Sequence, residues 1–407
     1  MFENHFRMQE SDVIQYLLEK TDFFSGDDKL SCKEIGDGNL NYVFRVVSEE
    51  TDKSIIVKQA DRSSRSSKRE LSLDRNRIEA ELLIYEGQLA PGLVPTVYLY
   101  DPVMASVVME DLSHLRIMRY ALMKEERFPR FAEQISDFMA KTLANTSDFV
   151  MPSAEKKALT GKNINPDMCG ISERLVYTEP YFKALGPGDV AEVNLSYVND
   201  DLQQDEALKA AVAELKMDFM TKAQALIHGD LHTGSIFIGQ DEMKVIDPEF
   251  AFAGPIGYDV GNVLANLSFA WVRSAVMKAD GSEKKEQFQA WAEKAVANSL
   301  DLFVDKFKKI IESEKTAPSF RVQAFQAQYM RELVCDSVGV AGLEINRRVI
   351  GIAKVADVKT IENEAERALA ERILMEIARH FIQQRASYRF GSEIAATIKE
   401  MIKTIKV

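Results

Sequence analysis

The chain has 407 residues, 46% of them hydrophobic and 28% charged, which excludes disordered and fibrous classes and is too long for one compact core. A formal net charge of −12 argues against a general nucleic-acid binder, since holding a phosphate backbone takes concentrated lysine and arginine. Any phosphate bound here must be held locally. The opening MFENHFRMQESD is acidic and lacks a long apolar run, so no secretory signal and no membrane anchor is expected, and the cytoplasm is the expected location.

In chain order, Ser11 to Glu19 have helical spacing, with Ser11 or Asp12 as N-cap. From Leu30 to Lys58 the period switches to short β-type runs: strand, glycine turn, strand, charged turn, strand, with Ile55 and Val57 alternating about Lys58. Cys32, Cys169 and Cys335 are far apart and odd in number, a poor basis for disulfides or zinc, and read as buried free thiols. The polar stretch from Asp61 to Lys68 is expected to be a mobile loop. A helix follows from Asp74 to Leu89, striped by Ile78, Leu82, Leu83 and Tyr85 and stopped by Pro91 and Gly92. Two further strands fit VPTVYLYD and ASVVMEDL. A hinge after Leu112 would divide residues 1–112 from residues 113–407, where helical patterns dominate and only ALIHGD and KVIDPE read as buried strands. The last long helix spans about Asn363 to Arg385. The expected class is therefore α+β and bilobal, with a small antiparallel N-terminal sheet and a larger helical lobe.

The strongest chemical signal is LIHGDLHTGSIF, residues 226–237, with Asp247 in KVIDPEF 17 positions after Asp230. Phosphoryl transfer asks little covalent help of a protein; it needs a positioned acceptor hydroxyl and cations that neutralise the phosphates. Asp230 suits the hydroxyl, and Asp247 with Glu249 suits magnesium, a hard cation that prefers oxygen. Upstream, Lys58 ends the strand SIIVK and would reach the α- and β-phosphates, with Glu79 on the next helix holding it by an ion pair. In GDGNLNYVF, residues 36–44, backbone N–H groups of a turn would cover the phosphates, with Asn41 adding a side-chain contact. Glu110, Asp111 and Leu112 would offer backbone groups to the adenine edge, the two carboxylates being simply solvated. His228 reads as a structural hydrogen-bonding residue, and Asp259 in GPIGYDVGN as a side chain that holds the Asp230 loop by its backbone. A lone aspartate after an apolar run is usually a turn or helix cap; here the company of these residues outweighs that reading. Two other classes compete: a metallohydrolase using the His228-x-Asp230-x-His232 alternation, for which the remaining histidines give no support, and a nucleotide-binding regulator without turnover.

HGDLHTGSIF with IDPE, VKQA and MEDLSH resembles the 5-methylthioribose kinase family, within the larger aminoglycoside-phosphotransferase and choline-kinase-like group, over about Ile35 to Ala356. The larger group has Asn five residues after the Asp of His-Gly-Asp; here Ser235 stands there, and Asp247-Pro248-Glu249 replaces the usual aspartate motif. Both departures are features of methylthioribose kinases and suggest that Glu249 takes over part of the metal binding that the Asn would provide. The resemblance implies a protein-kinase-like fold, ATP and Mg2+ as cofactors, nucleotide contacts from Asn41, Lys58, Glu79, Glu110 to Leu112 and Asp247 to Glu249, a small-molecule sugar substrate phosphorylated at its anomeric hydroxyl, and a homodimer. It also implies that Arg347 and Arg348 in GLEINRRVIG hold the acceptor, where guanidinium forks suit vicinal hydroxyls and growing phosphate charge. Kinase activity toward choline, homoserine or an aminoglycoside is the alternative.

Overall fold

A computed structural model of the chain describes residues 1–35, 41–62, 70–277, 283–313 and 316–407. The glycine turn at 36–40 and residues 63–68 of the expected mobile loop lie outside the described residues. The N-terminal part is a five-stranded antiparallel sheet built from β1 (Leu30–Glu34), β2 (Asn41–Ser48), β3 (Ser54–Ala60), β4 (Val97–Asp101) and β5 (Ser106–Glu110), in the order β1-β2-β3-β5-β4. β3 is central, pairing Lys58 with Val43 on one side and Val107 on the other, and its β-branched Ile55 and Val57 are fully buried. Helix α1 (Glu10–Lys20) starts one residue before the expected cap; Asp12 instead accepts from the Gln9 N–H at 2.8 Å, which satisfies a free donor of the first turn. The N-terminal segment packs Phe2 edge-on against Tyr16 over this sheet. Helix α2 (Asp74–Leu89) has the expected ends and lies between β3 and β4 in sequence.

The remainder is mostly helical. Its shorter elements are β6 (Arg116–Ile117), α3 (Met118–Met123), α4 (Phe131–Asn145), α5 (Ser153–Lys162), α6 (Pro166–Tyr177), α7 (Glu179–Phe182) and α8 (Glu206–Thr221). Then come the three-residue strands β7 (Ala225–Ile227), β8 (Ile236–Ile238), β9 (Met243–Val245) and β10 (Phe252–Gly254). They form a β10-β7 pair and a β6-β8-β9 sheet, which set the ends of the loops between them. The chain closes with α9 (Ile256–Val276), α10 (Glu283–Ile311), α11 (Gln323–Val349), α12 (Ala356–Lys359), α13 (Glu364–Gln384) and α14 (Gly391–Thr404). This is the bilobal, protein-kinase-like arrangement expected.

Helices α9 and α11 approach almost backbone to backbone. A Cβ on Gly257 would lie 2.8 Å from the Ser337 nitrogen, and one on Gly261 would lie 2.7 Å from the Ser337 oxygen, so only glycine fits at either position. The three cysteines are free but half-buried, so the expected full burial does not hold. Among the described residues no helix is long and apolar enough to cross a membrane.

Candidate active site

Lys58 leaves the middle of the central strand and turns toward α2 and the loop after β9. Its ammonium is 2.6 Å from Glu79 Oε1 and also bonds Asp247. Burial works against the charge on Lys58, but Asp247, Glu79 and Glu249 together raise its pKa. Glu79, Asp247 and Glu249 each bring a carboxylate oxygen within 4.8 Å of one another. Burial, and then the charge of Asp247, pushes the Glu249 carboxyl up to about 8; partial burial also opposes the charge of Asp247, whose side chain is 40% exposed, yet Lys58 holds it below its ordinary value. Such a trio of hard oxygen donors, with one cation already present, fits magnesium and suits no soft metal. Asp247 itself stands at φ 70°, a left-handed conformation uncommon for a residue with a side chain. Pro248 is buried in the turn between the two acids, its carbonyl accepting from the Ala251 N–H at 3.1 Å.

Asp230 stands at the end of the β7 loop. One of its oxygens, Oδ1, accepts from Arg347 Nη1 at 3.2 Å and from Arg348 Nη2 at 3.3 Å; Oδ2 lies 3.3 Å from His232 Nε2. Burial opposes its charge, but His232 and the two arginines outweigh burial and hold the carboxyl well below its ordinary range. Both arginines come from the last turn of α11 and are themselves buried, 6% and 8% exposed, so the pair is not the solvated face that charged residues on a helix usually make. Asp230 and Asp247 are close enough for the charge of the first to raise the proton affinity of the second. The cluster around Lys58 and the one around the arginines therefore adjoin.

Asp259, in the first turn of α9, accepts the backbone N–H of His228 at 2.7 Å and of Gly229 at 3.0 Å, so it holds the loop by its backbone. His228 Nε2 donates to the Ile246 carbonyl at 2.9 Å and its Nδ1 accepts from the Asp230 N–H at 3.3 Å, which fixes one tautomer and ties the two acidic loops together. Gly229 sits at φ 81°, and a Cβ there would lie 2.3 Å from the Phe250 oxygen. Ser235 turns toward the Asp230 carbonyl at 3.2 Å and the His232 ring at 3.1 Å, within its own loop. With both histidines engaged in this way, the metallohydrolase alternation gains no support.

One expectation needs correction. The carboxylates after β5 are not solvated: Asp111, whose side chain is 4% exposed, accepts from Arg45 at 2.6 Å, and Glu110 accepts from Lys244 and from the Thr96 N–H, at 2.8 and 2.9 Å. These bonds brace the end of the strand that leads into the expected hinge after Leu112, which is itself buried. Asn41 points its amide at Glu249 Oε2, at 2.9 Å. Three participants escaped the sequence. Glu344, buried, lies under both arginines; its spacing three and four residues before them was a legible i,i+3/i,i+4 signal. Arg75 lies against Glu249, and Asn165 donates to the backbone carbonyls of Glu249 and Ala251, each at 2.9 Å. Nothing in the residues around these two marked them out.

A strand lysine paired with a helix glutamate, facing an acidic loop beneath a helical lobe, is the arrangement of a phosphotransferase, and the model of the phosphotransferase enzyme family matches residues 31–297. A methylthioribose kinase of Bacillus velezensis is 38% identical over 389 residues, covering 95% of both chains. One of Geobacillus thermodenitrificans is 39% identical over 376 residues, 91% of both chains. The chain belongs to the methylthioribose kinase family. Among solved structures, a choline kinase of Cryptosporidium parvum is a distant likeness, 12% identical with a TM-score of 0.49 over 97% of this chain and 98% of that one.

Proposed function

We propose that the protein transfers the γ-phosphoryl group of ATP to the anomeric hydroxyl of 5-methylthioribose, giving 5-methylthioribose 1-phosphate and ADP, a step of methionine salvage. The observation that carries this reading is the convergence of Arg347 and Arg348 on one oxygen of Asp230, next to the Lys58 cluster, in a chain whose relatives bear that name. In this reading residues 1–112 hold the nucleotide and residues 113–407 the acceptor. Lys58, kept in place by Glu79, binds the α- and β-phosphates; Asn41 and the backbone of Glu110 to Leu112 contribute nucleotide contacts. Asp247 and Glu249, across the Pro248 turn, would hold Mg2+, which supplies positive charge to the β- and γ-phosphates. Asp230, anionic over the working pH range, accepts the proton of the acceptor hydroxyl as the new oxygen–phosphorus bond forms and the β–γ bridging bond breaks. Arg347 and Arg348 fix the sugar and meet the charge on the transferring group. A homodimer and residence in the cytoplasm belong to the same proposal.

The test is transfer from radiolabelled ATP to a panel of sugars and amino alcohols. Label is expected on methylthioribose, and Asp230→Ala is expected to lower turnover by about 10²- to 10⁴-fold while retaining nucleotide binding. Label on choline, homoserine or an aminoglycoside but never on methylthioribose would reject the acceptor.

A further inference from the structure

The carboxylate of Glu249 is gripped from the opposite lobe. Arg75, in the first turn of α2, has a side chain only 1% exposed and brings Nε to 3.7 Å from Glu249 Oε2. Its Nη2 donates to Asn41 Oδ1 at 3.1 Å and to the Asp61 carbonyl at 3.0 Å, and its Nη1 to the Ser72 carbonyl at 2.9 Å. Asn41 in turn donates to the same Glu249 Oε2 at 2.9 Å. One oxygen of Glu249 is therefore met by an amide on β2 and a guanidinium on α2 that are bonded to each other. The backbone of Glu249 is held independently, by Asn165 of the helical lobe.

A buried guanidinium is costly unless its donors are used and its charge is matched. Arg75 uses Nη1 and Nη2 on two backbone carbonyls and one amide, and sets Nε 3.7 Å from Glu249 Oε2, an ion pair too long for a hydrogen bond, so its fork is fixed and its charge is matched. Lys58 bonds Glu79 and Asp247, and among the described residues Asn41 and Arg75 are the side chains in polar contact with the Glu249 carboxylate.

We propose that Arg75 is a positioning residue for Glu249, acting directly and through Asn41, and that it thereby sets the affinity of the acidic trio for the divalent cation that accompanies the nucleotide. The inference rests on the reading of Glu249 as a cation ligand. Groups that orient a metal ligand commonly govern metal affinity by about 10- to 100-fold.

The experiment measures Mn2+ binding by electron paramagnetic resonance, with the full chain and a non-hydrolysable ATP analogue. Arg75→Met, which keeps the stem but loses the fork, is expected to weaken Mn2+ binding about tenfold or more and to raise the KM for metal–ATP, with the KM for methylthioribose unchanged. Arg75→Lys restores only part of the loss, because an ammonium cannot bond Asn41 and two carbonyls in one plane. Asn41→Ala is expected to weaken binding in the same direction and less than additively with Arg75→Met. Wild-type Mn2+ affinity in Arg75→Met overturns the proposal; if that variant does not fold, wild-type affinity in Asn41→Ala overturns it. Glu249→Gln separates the two layers. Unchanged Mn2+ binding there rejects Glu249 as a ligand, whereas loss there with wild-type binding in Arg75→Met rejects only the role of Arg75.

Discussion

Glu344 accepts a hydrogen bond from Arg348 Nε at 2.7 Å, one helical turn further along α11, and its other oxygen accepts from Arg347 at 3.1 Å. The arginines that meet Asp230 are thus held from behind by a second buried carboxylate, so two acids share two cations in an interior of low polarity. Taking the charge from Glu344 leaves the guanidinium pair under-compensated, which typically costs about 3–5 kcal/mol. Glu344→Gln is therefore expected to lower the urea midpoint and to reduce kcat/KM for methylthioribose by roughly 10- to 100-fold, with the KM for ATP within about twofold of wild type. An unaltered acceptor KM would show that Glu344 does not aim the pair.

Lys58 is the cation that keeps Glu79 and Asp247 together. Lys58→Met is expected to lower kcat/KM for ATP by on the order of 10²–10³-fold, the loss typical of removing one fixed charge aimed at a reacting group. ATP titrations at saturating acceptor measure it, and wild-type kinetics would remove Lys58 from the phosphate site.

Gly229 combines a positive φ with the 2.3 Å approach of the Phe250 carbonyl to a Cβ position. Gly229→Ala must move the loop that carries Asp230, and a loss of about 3 kcal/mol or more in urea denaturation is expected. The exposed Gly161 of α5 has open space around its Cβ position, so Gly161→Ala is the control, neutral or up to about 1 kcal/mol stabilising. Equal effects at the two sites would refute the steric account.

Glu86 on α2 is fully buried, and burial, followed by the charge of Asp259, raises its pKa well above 4.5. Above the ordinary carboxyl pKa the folded chain then binds more protons at this site than the unfolded chain, so its contribution to stability falls as pH rises. Glu86→Gln removes that dependence. Its melting temperature is expected to match wild type near pH 4.5 and to exceed it increasingly toward pH 8, by on the order of 1 kcal/mol in stability. A difference constant with pH would mean that Glu86 does not titrate in the folded state.

Much of this was legible before any coordinates. The alternation around Lys58 gives β3, and the stripe from Asp74 to Leu89 gives α2 to the residue, so local period sets Lys58 and Glu79 on their elements, while their pairing was expected from the kinase-type order of lysine, glutamate and two aspartates. Strands of two or three residues, such as β6, β8 and β10, are too short to carry a period. The larger gap lies in charged side chains. Sequence patterns assign them to solvent, and Asp111, Arg75 and Glu344 are each buried against a partner 66, 174 and 3 or 4 residues away. Only Glu344 lies near enough along the chain for spacing to reveal it.

The glycine seam between α9 and α11 joins two things that must agree. α9 carries Asp259, which fixes the loop bearing Asp230; α11 carries the arginines, ten residues or about 15 Å beyond Ser337. The seam works as a gauge block, and a single methyl group inserted there would shift the end of α11 that carries Arg347 and Arg348 against the start of α9 that fixes the Asp230 loop. With the roles proposed for Asp230 and the arginines, acceptor choice becomes adjustable from a buried contact between two helices.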